Sequence, residues 1–252
     1  MELLDNAKLQ GYFKKGEERN GKFFRRLEVE PTFDGLKVLD VGCGLGSLCL
    51  FVAERGPSHV VGIDIDKEGI DFANQYLQRN CSHLADRVEF RYCDINGLDE
   101  CDFDVILSKD SFEHIMDLEN QLHAMIAHLK PGGRMLIGFG PLYNSPFGDH
   151  RRTKSKVPWG HLMRSEKSIV KRINALRAGT DKNPIASIHD LGLNMLSFKE
   201  YRRIIESCGL EVRHFGVNVN ERLGSKILTL FSKVPFLREY FTHNIYCVLR
   251  KP

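Results

Sequence analysis

Val38-Leu39-Asp40-Val41-Gly42-Cys43-Gly44-Leu45-Gly46 is the stretch on which the fold turns. Apolar residues around Asp40 make a short strand. Glycines then occupy alternate positions, and residues 46–55 have helical content until Gly56-Pro57 stops them. Glycine at a strand-to-helix turn lets the backbone bend sharply and leaves room for a ligand against the main chain. A glycine loop alone does not choose its ligand, and a nicotinamide-binding chain would begin the same way. In this chain the spacing is GxGxG, and Ser47 stands where a dinucleotide fingerprint would place its third glycine.

Outward from the loop the pattern alternates strand and helix. His59–Asp64 is a second apolar run, and Asp66 opens a helix with Ile70, Ala73 and Leu77 on one face. Val88, Phe90 and Tyr92 alternate up to Asp94, and Phe103–Leu107 is a fourth strand. Asp117 caps a helix bearing Leu118, Leu122, Met125, Ile126 and Leu129. Pro131-Gly132-Gly133 ends it, and Arg134–Phe139 is the fifth strand. Ser197 and Glu200 form a capping box before Phe198, Tyr201, Ile204 and Ile205. Leu210–Val217 and Asn244–Lys251 read as the last two strands. Such alternation implies an α/β fold, a mostly parallel sheet with helices on both faces. Residues 140–197 and 218–243 do not fit it. Connections that long are uncommon unless functional, so both are candidate lids or partner surfaces.

The acids sit where a ligand would. Asp64 closes the second strand, where a carboxylate can accept hydrogen bonds from both ribose hydroxyls. Asp94-Ile95 follows the third strand, and Ser108-Lys109-Asp110 the fourth. All end at one sheet edge, beside the point where strand order reverses, where open α/β sheets bind ligands.

Together these motifs resemble those of the class I S-adenosylmethionine (SAM)-dependent methyltransferases of small-molecule type. The resemblance rests on VLDVGCGLG (38–46), VVGIDID (60–66), Asp94, FDVILSKDSFEHI (103–115) and LKPGGRMLI (129–137). It implies a Rossmann-like seven-stranded sheet of order 3-2-1-4-5-7-6 with the last strand antiparallel. It also implies SAM as methyl donor and S-adenosylhomocysteine as product. By matching positions, Gly42, Cys43, Gly44 and Gly46 flank the methionine part of SAM, and Asp40 helps hold its amino group through backbone or water contacts. Asp64 holds the ribose with Ile65 against the adenine, Asp94 and Ile95 face the adenine edge, and Ser108 and Lys109 meet the methionine end.

Composition narrows the class. Hydrophobic residues at 42% and charged residues at 27% describe a globular chain rather than a disordered one. A single domain over 1–252 is expected, with residues 1–30 as a helical cover carrying Tyr12-Phe13. No apolar stretch is long enough to cross a bilayer, and no signal-peptide pattern opens the sequence. Seven cysteines without a CxxC pair suit reduced thiols in a cytoplasm. The net charge of +3 is uneven: residues 140–197 carry +6 and the remainder −3. A basic cap steers acidic acceptors such as carboxylates or phosphates, although a solvated helical face would give the same count.

The fourth strand ends in SKDSF rather than the N/D-P-P-Y/F of base-amino methyltransferases. Sparse aromatics in the insertion argue against nucleic acid as partner. A small-molecule acceptor with an oxygen nucleophile is expected. The alternatives are a SAM-binding sensor or partner module without catalysis, and a methyltransferase acting on RNA or protein. Residues 140–197 supply the expected acceptor site, with Tyr143, Asp149, Arg151 and Trp159 as substrate contacts. His150 or His161 is the candidate general base, with Asp149 or Asp110 orienting it, since imidazole titrates near working pH. His114 borders the transfer site. No HxxxH or HxxE spacing fixes a metal, and none is assigned. Residues 218–243, rich in Leu, Ile and Phe with Lys226, Lys233 and Arg238, fit ordinary packing, a dimer contact in a monomer–homodimer choice, or peripheral contact with a membrane. Pro235 interrupts any single helix there.

Overall fold

The computed structural model describes residues 6–218 and 223–252. Strands β1 (Lys37–Val41), β2 (His59–Asp64), β3 (Val88–Tyr92), β4 (Phe103–Lys109), β5 (Leu129–Phe139), β6 (Glu211–Val217) and β7 (Ile245–Arg250) form one sheet. Its order is β3-β2-β1-β4-β5-β7-β6, with β7 antiparallel to both neighbours. The remaining adjacent pairs are parallel. The order reverses between β1 and β4, so the carboxyl ends of those two strands part and leave a crevice.

Helices α1 (Ala7–Leu27), α2 (Ser47–Ala53) and α3 (Lys67–Asn80) cover one face; α4 (Leu118–His128) and α6 (Phe198–Ser207) cover the other. Strand alternation divides the core between them. Val38, Val60 and Val105 pack toward α1–α3, while Leu39, Val61 and Ile106 pack toward α4 and α6. Asp40 shares the face of Val38, which directs it toward α2 and not toward the crevice. Asn6 caps α1 by accepting the Lys8 and Leu9 amides, and Phe13, Phe23, Phe24 and Leu27 form its buried stripe. The Ser197–Glu200 capping box is complete in α6.

Two local expectations need correction. The fifth strand begins at Leu129, not Arg134, because Leu129 is already extended and pairs with Phe103. Pro131-Gly132 then shifts the register, and pairing resumes at Arg134 opposite Val105. Asp66 stands at the start of α3 but makes no side-chain cap; its own amide is held by Asp64 instead.

The insertion 140–197 has its own helix, α5 (Glu166–Arg177), and a small core of Ile169, Ile173, Ile185, Ile188 and Leu193. In 218–243, α7 (Leu223–Ser232) and α8 (Arg238–Phe241) are separated around Pro235. Ile227, Leu230, Phe231, Phe236 and Tyr240 remain exposed there. Among the described residues no helix is long and apolar enough to cross a membrane.

Candidate functional site

The crevice between β1 and β4 opens into a cavity of about 800 Å³. Gly42, Cys43 and Gly44 form part of its wall, and α1 lays Tyr12, Phe13 and Arg19 against it. Asp64 reaches the cavity from the end of β2, where its carboxylate accepts the Gly44 amide at 2.7 Å and the Asp66 amide at 2.8 Å. Ile65 is 74% exposed at the rim, beside exposed Tyr12 and Met116. Ile95 is fully buried at the floor. Asp94 lines the wall while its Oδ1 accepts the Gly97 amide at 2.9 Å. Apolar rim groups around a carboxylate suit a flat base stacked at the mouth with a ribose behind it.

Three of the expected cofactor residues do not border this cavity. Gly46 holds φ +80°, and a Cβ on it would stand 2.6 Å from the Phe90 ring, so its role is to let α2 start close to the sheet. The Ser108 hydroxyl is buried and donates to the Val41 carbonyl at 3.0 Å, joining β4 to β1. Asp40 is buried beneath the loop, where Oδ2 accepts from the Cys49 thiol at 3.4 Å and Oδ1 has no partner. Burial pushes its carboxyl up to about 7.

Lys109 and Asp110 line the cavity, together with Ser111, which the sequence reading missed. Lys109 is buried, which lowers its ammonium pKa, and it donates to Asn20 Oδ1 at 2.6 Å. Asn20 in turn donates to the Ser47 carbonyl at 2.8 Å, so one α1 amide ties β4 to the glycine loop. No sequence motif signals Asn20; its contacts span 27 and 89 positions.

A second cavity of about 220 Å³ adjoins the first and shares Arg19, Lys109 and Asp110 with it. Lys22, Arg26, His243, Asn244 and Tyr246 complete its polar lining, with Arg26 donating to the Tyr246 hydroxyl at 2.6 Å. Its cations come from α1 and β4. The insertion contributes only Gly140.

The insertion's expected acceptor residues lie elsewhere. His161 is buried against Asp149 at 3.8 Å, its Nε2 meets the Tyr143 carbonyl at 2.6 Å, and it borders neither cavity. Asp149 accepts from the Thr153 hydroxyl at 2.6 Å and the Arg151 amide at 3.2 Å. The Tyr143 ring packs edge-on to His161, and burial pushes its phenol up to about 12. Arg151 stacks over Phe147. The Trp159 indole donates to the Tyr240 carbonyl at 3.0 Å and packs on Phe241, joining the insertion to α8. These groups form the insertion's framework and its seam with α8, and none of them borders either cavity. The insertion's lysines and arginines border hollows of its own, at Lys154, Arg177 and Lys182 and at Lys156, Arg164 and Arg172.

His150 is the exception. Its ring meets His114 edge-on at 4.9 Å between centroids, and His114 lines the larger cavity. His114 Nδ1 meets the Gly192 carbonyl at 2.7 Å; His150 Nε2 meets the Pro141 carbonyl at 3.1 Å. Each carbonyl requires an N–H, which leaves Nε2 of His114 and Nδ1 of His150 with lone pairs. Burial lowers both imidazoles, His150 to about 4, so both are neutral near pH 7. Glu113 completes the group. It is buried, Oε1 accepts the Gly140 amide at 3.2 Å and Oε2 has no partner. Burial, with Asp110 nearby, pushes its carboxyl up to about 8. Sequence reasoning missed Glu113 because its partner His150 stands on a distant segment.

Comparison with known proteins identifies the family and the fold. Residues 32–178 match the family model described as a methyltransferase domain. Over 126 residues the chain is 40% identical to phosphoethanolamine N-methyltransferase 1 of Zea mays, covering 48% of this chain and 23% of that protein. Over 117 residues it is 33% identical to ubiquinone biosynthesis O-methyltransferase of Bradyrhizobium diazoefficiens, covering 46% of this chain and 44% of that one. The match thus spans less than half the length of either relative. Among solved structures, geranyl diphosphate methyltransferase in complex with SAM superposes with a TM-score of 0.60 at 16% identity, over 94% of this chain and 85% of that one. That likeness is one of fold.

Proposed function

The chain belongs to the methyltransferase-domain family, and from that premise we propose that it transfers a methyl group from SAM to an oxygen nucleophile on a small acidic acceptor. The observation that carries this reading is the junction of the two cavities at Arg19, Lys109 and Asp110. The larger cavity offers a ribose carboxylate, an apolar rim and a glycine wall to the cofactor. The smaller one offers Lys22 and Arg26 to an anionic group, with its opening at the methionine end of the larger. The maize relative is named for a phosphate-bearing acceptor and the Bradyrhizobium relative for an O-methylation. The first name, of an N-methyltransferase, suits an anionic acceptor held by cations, and the second suits an oxygen nucleophile.

The chemistry is an in-line displacement. An acceptor oxygen forms the new bond to the methyl carbon, the S–C bond breaks, and its electron pair returns to sulfur as the neutral thioether of S-adenosylhomocysteine. Orientation of nucleophile, methyl and sulfur supplies up to about 7–11 kcal/mol in well-ordered systems. The acceptor proton must leave, and His114, neutral with a free lone pair at the cavity wall, stands where that proton is handled. Asp110 borders both cavities, and desolvation by the surrounding protein raises its carboxyl.

Titration calorimetry with SAM and S-adenosylhomocysteine, followed by transfer of radiolabelled methyl to a panel of carboxylate- and phosphate-bearing alcohols and phenols, tests the reading. Saturable cofactor binding and label in an acidic acceptor are expected. Absence of cofactor binding, or label confined to neutral acceptors, overturns it.

A further inference from the structure

The Glu113, His114 and His150 group has the composition of a metal site. One ligand atom from each, a carboxylate oxygen and two ring nitrogens, lies within 4.8 Å of the other two. Cations of the first transition row take nitrogen and oxygen ligands at about 2.0–2.2 Å, which sets neighbouring ligand atoms roughly 3 Å apart. Side-chain rotation closes the remaining gap.

Three independent features prepare the group for a cation. The histidines are held by second partners as ligating histidines are: Gly192 and Pro141 carbonyls fix the tautomers and turn the lone pairs free. Glu113 is a buried carboxyl with one oxygen lacking a partner among the described residues, an orphaned polar atom that coordination to a cation would satisfy. The nearest protein cation, Arg152, directs its guanidinium to the Leu191 and Gly192 carbonyls at 2.5 and 2.8 Å, not to the Glu113 carboxylate. His150 also holds a left-handed φ of 51°, as does Arg151 at 59°, an unfavourable backbone for residues other than glycine that presents the imidazole to His114.

The geometry points to a divalent-cation site of two imidazoles and one carboxylate, formed by Glu113, His114 and His150 at the wall of the cofactor cavity. Three protein ligands leave coordination positions open. Because His114 lines the cavity, an acceptor oxygen can occupy one of them, and the cation, which then takes the His114 lone pair, lowers the hydroxyl's pKa in place of that base and orients it. This catalytic role rests on the reading of the cavity as the site of methyl transfer; the cation binding does not.

The test uses Co2+ as an optical probe on the full chain after EDTA treatment, with SAM calorimetry on the same samples. A saturable visible absorption band is expected. Glu113→Gln and His150→Ala should each weaken Co2+ binding about tenfold or more, while His123→Ala, an exposed histidine on α4, leaves it unchanged. Thermal melts and SAM binding establish that each variant is folded. No saturable band in the parent protein, or full Co2+ affinity in both folded site variants, overturns the proposal. SAM binding without Co2+ binding removes the cation site and keeps the methyltransferase reading. Co2+ binding without SAM binding does the reverse.

Discussion

The Asp64 carboxylate and the Gly44 amide are joined by a hydrogen bond of 2.7 Å, so the residue proposed to hold a ribose also sets the shape of the glycine wall. Its other oxygen holds the Asp66 amide at 2.8 Å at the start of α3. Charge-assisted bonds of this kind contribute about 1.5–3 kcal/mol each. Asp64→Ala should therefore weaken SAM binding about a hundredfold, since both the ribose acceptor and the loop clamp are lost. Asp64→Asn keeps one acceptor oxygen and should lose less. Calorimetry checks the ranking, and an Asp64→Ala affinity equal to that of the parent refutes the assignment.

Gly44 and Gly46 should separate binding from folding. A Cβ on Gly46 meets the Phe90 ring at 2.6 Å and Ala73 at 3.0 Å, with φ at +80°. Gly46→Ala should cost about 2–4 kcal/mol of stability from backbone strain and overpacking. A Cβ on Gly44 meets nothing within 4 Å. Gly44→Ala should cost only about 1–2 kcal/mol and act mainly on SAM affinity by projecting into the cavity. Denaturant unfolding beside calorimetry reads both effects.

Glu113 makes stability depend on pH. Its native carboxyl titrates at about 8, above the 4.5 of an ordinary glutamate. Between those values the folded chain keeps a proton that the unfolded chain has lost. Stability therefore falls as pH rises through that window, at up to about 1.4 kcal/mol per unit. Facing groups are Asp110, His114, His150, Arg152 and Tyr201. In EDTA, Glu113→Gln should flatten the decline between pH 5 and 8 and melt higher than the parent at pH 8. Parallel melting curves for the two proteins would contradict the burial argument.

Lys22 borders the smaller cavity and not the larger. Lys22→Gln should raise KM for an acidic acceptor several-fold, because a cation facing an anion contributes about 1 kcal/mol or less when exposed and more when partly desolvated. SAM affinity should not move. A change in SAM affinity with constant acceptor KM would place the anion subsite elsewhere.

His161 tests the division between framework and site. It is buried beside Asp149 and Tyr143 and borders neither cavity. His161→Ala should lower Tm through an internal void and a lost hydrogen bond, about 1–3 kcal/mol, and leave the pH profile of kcat in place. His114→Ala should change that profile. A shifted profile in His161→Ala would return His161 to the chemistry.

The strand positions, the glycine loop and the acids at the sheet edge were legible in the sequence because each is a local signal, whereas the strand order came from the family resemblance. Alternation marks the strands, glycine marks a turn with left-handed φ, and Asp64 follows its strand directly. The fifth strand was placed five residues late because Pro131-Gly132 resembles a terminator, whereas Leu129 pairs with Phe103 before the kink. Asp40 was expected to act on the cofactor through backbone or water contacts; strand alternation turns its side chain toward α2, where it meets the Cys49 thiol.

By itself, then, the sequence marked the strands, the glycine turn and the acids at the strand ends through backbone periodicity over short spans, and the resemblance of its motifs to a known family supplied the sheet order and switch point. Only the tertiary structure decided which charged and ionisable groups meet. The basic residues counted in 140–197 stay on that insertion, while Arg19, Lys22 and Arg26 of α1 reach the second cavity. Of the insertion's two candidate histidines, His161 turns inward to Asp149 and His150 meets His114 and Glu113. Those meetings depend on how helices and loops pack across the sheet, and no periodicity along the chain encodes distances between segments so far apart.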